Sequence, residues 1–117
     1  MNRIAQAFEA SQWRLTTSVL HGDVSCLARL LFMIPEARWD GIALDVIDRA
    51  VAAQDHRMRT RKAHRYGNGS IMAAARMYTN TPLPAEPTFD NPKYCRAMTC
   101  ALKHILALAE AQEETGA

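Results

Sequence analysis

Residues 24–34, VSCLARLLFMI, hold one charge, Arg29, in eleven positions. A helix that is apolar nearly all round must be buried on most of its sides. Asp23 precedes the segment and can accept hydrogen bonds from the free backbone N–H groups at a helix start. Pro35 follows it, and the residue before a proline disfavours helical geometry. This predicts a central helix around which the rest of the chain packs, helix on helix. The chain has 117 residues, 49% of them hydrophobic and 22% charged. A domain of that size buries about two-thirds of its unfolded surface, so one core holds it. Its apolar content is too high and its net charge, +2, too small for a disordered chain. No stretch approaches the ~20 apolar residues of a membrane-spanning helix.

The other segments read as helices of lower apolar content. Residues 2–20 predict an amphipathic helix with Ile4, Phe8, Leu15 and Val19 on one face and Trp13 off it, stopped by Gly22. Residues 36–63 predict the longest helix, entered through Pro35. Trp39, Ile42, Ala43, Val46, Ala50 and Ala53 form its buried stripe, widened by Leu44, Ile47, Val51 and Met58. Asp45–Arg49 and Asp55–Arg59 are i,i+4 pairs on its polar side. Tyr66-Gly67-Asn68-Gly69 is a turn, and Ser70 caps a short helix over 71–78, with Ile71, Met72, Ala75 and Tyr78 inward. Pro82, Pro84 and Pro87 make 79–91 an ordered, extended strap pinned by Leu83 and Phe89. Asn91-Pro92 is a cap followed by a first-turn proline. It opens a last helix over about 92–113 with Cys95, Met98, Leu102, Ile105 and Leu108 inward.

No run alternates apolar and polar residues, so no sheet is expected. The expected fold is all-α: an irregular bundle of four to five helices with a proline-rich extended strap before the last one. Its parts are a helical extension over 1–18, a single helical domain over 19–113 and a frayed tail over 114–117.

Little in the sequence points to catalysis. The histidines are His21, His56, His64 and His104, and no two are three or four residues apart. No helix therefore presents a ready histidine pair to a metal, and none is expected. Cys95 and His104 are nine residues apart on one helix, roughly 13 Å along its axis, too far to act together. Gly67-Asn68-Gly69-Ser70 lacks the lysine and the spacing of a P-loop. No catalytic residue is assigned, no cofactor is expected, and the chain reads as a protein that is not an enzyme. Cys26, Cys95 and Cys100 are an odd number in a chain able to build its own core. That argues against a disulfide framework and for a reducing cytoplasm.

One surface stands out. Residues 57–65, RMRTRKAHR, carry Arg57, Arg59, Arg61, Lys62 and Arg65, with His64 and no acidic residue. Arg57, Arg61 and His64 continue the buried stripe of a helix that runs unbroken to 63. The following turn leads into the N-terminus of 71–78, where free N–H groups attract anions. The candidate anion- or partner-binding set is Arg57, Arg61, His64, Arg65, Gly67, Asn68, Gly69 and Ser70. Alternatively, these arginines pair within the chain, against Glu110, Glu113 and Glu114 at the end of the last helix.

His21-Gly22-Asp23-Val24, Pro35, the Ala53–His56 and Arg61–His64 region, Gly67-Asn68-Gly69-Ser70-Ile71-Met72-Ala73-Ala74-Ala75, Pro87, Asp90 and Tyr94-Cys95 make a set. Together they resemble a family of small alphaproteobacterial proteins without known activity, over residues 19–108. Ile71 departs from the leucine expected there. The resemblance implies a bacterial cytoplasmic protein and carries over no catalytic residue. The favoured function is a protein-interaction or regulatory module whose partner is another protein or a second copy of itself. The alternatives are nucleic-acid association through 57–65 and small-anion binding at the same corner. Neither needs a membrane.

Overall fold

The computed structural model describes residues 18–62 and 64–116. All but the last three residues of the helix expected over 2–20 lie outside the described residues, and 18–20 are irregular. Four α-helices follow: α1 His21–Phe32, α2 Trp39–Thr60, α3 Ile71–Arg76 and α4 Pro92–Gly116. A 3-10 turn, Glu36–Arg38, leads into α2. No strand occurs among the described residues, and the all-α expectation holds.

The apolar segment is the centre of the fold. Cys26, Leu27, Ala28, Leu30 and Leu31 of α1 are buried, and α1 packs against α4, α3 and α2. Trp39, Ile42, Ala43, Val46, Ala50 and Ala53 of α2 are all buried, with Ile47 and Val51 beside them. The buried Trp39 indole N–H donates to the Ile34 carbonyl at 2.8 Å and so fixes the first turn of α2.

Helix starts follow local chemistry, with one shift. Ser70 Oγ accepts the Ala73 N–H at 3.1 Å and Asn91 Oδ1 the Tyr94 N–H at 3.2 Å, as their positions predict. Asp23 caps α1 from inside its first turn rather than from before it. Its Oδ2 accepts the Leu20 N–H at 2.8 Å and its Oδ1 the Met72 N–H of α3, also at 2.8 Å. One buried carboxylate thus serves the first turns of two helices. Gly22, expected as a stop, lies within α1. A Cβ there would meet Met72 Cε, the flexible tip of an α3 side chain, at 2.6 Å, so the glycine lies against α3 rather than ending a helix.

The strap over 79–91 has no regular structure and is tied to the helices by several side chains. Arg29 Nε donates to the Pro84 carbonyl at 2.7 Å, and the buried Tyr94 hydroxyl donates to Glu86 Oε2 at 2.6 Å. Burial, then the Glu86 contact, pushes the Tyr94 phenol up to about 12. Phe89 is exposed, yet its ring stacks on Tyr94 with centroids 5.6 Å apart.

Further details depart from the sequence reading, among them α3, which ends at Arg76 rather than 78. Met58 is 64% exposed and lies off the buried stripe. α2 stops at Thr60, three residues early, and α4 runs to Gly116, past the expected 113. The buried face of α4 is Tyr94, Ala97, Ala101 and Leu108, whereas Leu102 and Leu106 are 49% and 57% exposed. Small alanines allow α4 to approach α1 closely, and that rotates the larger leucines outward.

Candidate functional site

The basic corner begins where α2 ends. The Thr60 hydroxyl donates to the His56 carbonyl at 2.8 Å and accepts the Lys62 N–H at 3.2 Å, drawing the backbone out of the helix. Arg61 takes a left-handed conformation, φ 62°, and its N–H closes onto the Arg57 carbonyl at 2.7 Å. Arg57 therefore stays on α2 while Arg61 and His64 leave it, and the shared helical face of these three is not formed.

Beyond that point the chain folds into a tight turn. His64 and Gly67 exchange backbone hydrogen bonds at 3.1 and 2.8 Å. His64 Nδ1 accepts the Tyr66 N–H at 3.1 Å. Its ring meets those of His56 and Tyr66 at 4.9 and 4.8 Å. Desolvation, then the neighbouring His56 and Arg65, hold its pKa below the usual imidazole value. Gly67 and Gly69 have φ of 111° and 103°, values that L side chains rarely adopt.

Some of the corner's donors have protein partners. Arg57 donates to the Asn68 carbonyl at 3.3 Å, Arg65 to the Tyr66 hydroxyl at 3.2 Å, and the Ser70 N–H to Asn68 Oδ1 at 3.1 Å. At the start of α3, the Met72 and Ala73 N–H groups are taken by Asp23 and Ser70. Arg57, Arg59, Arg61, Lys62 and Arg65 are all exposed. Among the described residues, no ion pair joins them to Glu110, Glu113 or Glu114.

A second cluster was not anticipated. Asp40, in the first turn of α2, faces Cys100, Lys103 and His104 of α4. Its Oδ1 lies 2.7 Å from His104 Nε2 and 2.9 Å from Lys103 Nζ, and accepts from Cys100 Sγ at 3.6 Å. Hydrogen bonds from His104 and then Lys103 hold the Asp40 carboxyl well down, to about 2. Burial and then Asp40 push the Cys100 thiol up. Nearby, Arg96 grips both oxygens of Glu36 at 2.7 and 3.2 Å, a bidentate pair that lowers the Glu36 pKa. Cys100 and His104 are four residues apart and share a helical face. Histidine spacing alone does not show it, because the pair is a thiol and an imidazole.

The third feature is a groove of about 550 Å3 between the start of α1 and the second half of α4. Val19, Leu20, Val24, Leu102, Ile105 and Leu108 supply its apolar lining. Leu20 is 66% exposed at its rim. No helix among the described residues is long and apolar enough to cross a membrane.

Fold and surface together define a small all-α domain with an apolar groove, a cationic turn and a mixed thiol–imidazole–carboxylate cluster. The chain belongs to a family described as Domain of unknown function (DUF7742), whose model matches residues 17–105. That span agrees closely with the 19–108 on which the sequence resemblance rested. No curated protein and no solved structure matches the chain.

Proposed function

We propose that this chain is a helical protein-interaction module that works by binding rather than by catalysis, and that its partner is a second copy of itself. The observation that carries the proposal is the outer face of α4. Leu102, Leu106 and Ala109, at i, i+4 and i+7, are all exposed and continue one wall of the groove. Water contact at such a stripe is costly, since burying each leucine fully is worth about 1.5–3 kcal/mol.

Charge complementarity selects a second copy as the occupant. α4 carries Arg96 and Lys103 in its first half, exposed although each already meets a carboxylate of its own chain, Glu36 and Asp40, and it carries Glu110, Glu113 and Glu114 near its end. Two copies laid antiparallel place the basic half of each against the acidic half of the other, across a self-complementary two-fold seam. A bacterial cytoplasm fits the free Cys26, Cys95 and Cys100 and the family resemblance.

Sedimentation equilibrium of the full chain tests the proposal. A concentration-dependent dimer is expected, weakened at high salt and lost when Leu102 and Leu106 are both changed to Glu. A monomer at every concentration, or a dimer indifferent to the double change, overturns it.

A second reading rests on a different observation, the five exposed cations of 57–65 without a described carboxylate partner. They suit phosphates of a nucleic acid, and that contact would weaken steeply with salt. Absence of polyanion binding at low salt excludes it. The small-anion alternative has less support, because protein acceptors occupy the N–H groups it needs at the start of α3.

A further inference from the structure

We infer that Asp40, Cys100 and His104 form a binding site for a thiophilic divalent transition-metal ion of the zinc class. The three donor atoms, one carboxylate oxygen, one thiol sulfur and one imidazole nitrogen, lie within 4.8 Å of one another. This donor set differs from a surface cluster of acids. Sulfur and imidazole nitrogen select zinc-like ions over calcium or magnesium, and carboxylate completes sets of this kind.

The fold brings the donors together from 60 residues apart and braces each. Cys100 and His104 project from adjacent turns of α4, a rigid element. Asp40 stands in the turn of α2 that the Trp39–Ile34 hydrogen bond holds in place. The His104 side chain is only 11% exposed, packed beneath the more open Asp40 at 65%.

The two separations to Asp40 can be set against those a tetrahedral ion needs. With metal–sulfur, metal–nitrogen and metal–oxygen bonds of about 2.3, 2.1 and 2.0 Å, sulfur and oxygen stand ~3.5 Å apart and nitrogen and oxygen ~3.3 Å. The Cys100–Asp40 separation is 3.6 Å. The His104–Asp40 separation is 2.7 Å and must open by about 0.6 Å, a shift open to the exposed Asp40 side chain. Lys103, whose side chain is 62% exposed, leaves Asp40 Oδ1 as the ion enters. The Cys100 thiol proton passes to solvent as the sulfur–metal bond forms, and no oxidant or reductant is required. Three protein donors leave the fourth position to water, the arrangement of an open rather than a sealed site.

The competing account is an ordinary Asp40–His104 ion pair with a bystander thiol. Titration of the full, reduced chain with Co2+ separates the two. The expected result is one equivalent bound, with a thiolate-to-cobalt charge-transfer absorption and the intense visible bands of a four-coordinate ion, displaced by Zn2+. Cys100→Ser should abolish the charge-transfer absorption. It should also weaken Co2+ binding by more than the ~10–100-fold known for the loss of outer partners alone. Cys95→Ser, at a thiol that donates to the Phe89 carbonyl instead, should change neither. Absence of a charge-transfer absorption in the unmodified chain overturns the inference, as does one that survives Cys100→Ser. The first of these needs no variant to fold.

Discussion

Asp23 offers the sharpest test of how the bundle is held. Its side chain is buried, and its two oxygens accept the Leu20 N–H and the Met72 N–H, each at 2.8 Å. Hydrogen bonds to a charged acceptor are worth about 1.5–3 kcal/mol each. A carboxylate at a helix N-terminus adds about 0.3–1 kcal/mol. Against this stands the desolvation of a buried charge, which Asp23→Ala relieves. Leu20 is exposed, so water replaces its lost bond, whereas Met72 is half-buried and its N–H finds a partner less easily. The net expectation for Asp23→Ala is a loss of about 2–4 kcal/mol. Asp23→Asn keeps one acceptor oxygen and turns an NH2 group toward the other donor, so about half that loss is expected. Urea denaturation followed by far-UV circular dichroism measures both, with an unchanged slope showing that stability alone moved. Hydrogen exchange at the Met72 amide should accelerate in Asp23→Ala beyond the global change. A loss below about 0.5 kcal/mol for Asp23→Ala, or an Asn variant no better than Ala, would refute the claim that this carboxylate ties α1 to α3.

Leu27 is fully buried at the centre of α1, and Leu27→Ala should cost about 2–5 kcal/mol in the same denaturation assay. Gly69 and Gly41 should respond oppositely to alanine. At Gly69, φ is 103° and a Cβ would stand 3.0 Å from the Gln54 backbone, so a loss of about 1–3 kcal/mol is expected. At Gly41 a Cβ meets nothing within 4 Å in an exposed helical turn, so thermal unfolding should show a gain of up to about 1 kcal/mol. The Tyr94 phenol, raised to about 12, holds its proton more tightly in the folded chain than in the unfolded one. Its contribution to stability is complete below pH 10 and is lost as pH rises from about 10 to about 12. Phenolate absorbance during alkaline titration should therefore show Tyr94 ionising near 12, and ionisation near 10 would count against its burial.

The bundle was legible in the sequence wherever one residue's chemistry dominated. The single charge in 24–34 marked the buried helix, Ser70 and Asn91-Pro92 marked two helix starts, and three prolines marked the strap. Tertiary packing decided the rest. Gly22 reads as a helix stop until it is seen to lie against α3. Thr60 reads as helix interior until its hydroxyl is seen to hold the His56 carbonyl and divert the chain at Arg61. On α4, large residues suggested one buried face, but Ala97 and Ala101 allowed closer packing on another and left Leu102 and Leu106 outside. The basic segment was visible as composition, while its geometry depended on where α2 ends. The Asp40 cluster was half visible, in the Cys100–His104 spacing, and only the fold could supply Asp40.

The central claim is that α4 is an interface between two copies, antiparallel about its exposed leucine stripe. Isotope-filtered nuclear Overhauser spectra of a mixture of labelled and unlabelled chains test it. Intermolecular contacts are expected among the methyl groups of Leu102, Leu106 and Ala109, disappearing when Leu106 is changed to Glu. Intermolecular contacts that arise elsewhere, or none at concentrations where the chain is fully folded, would contradict it.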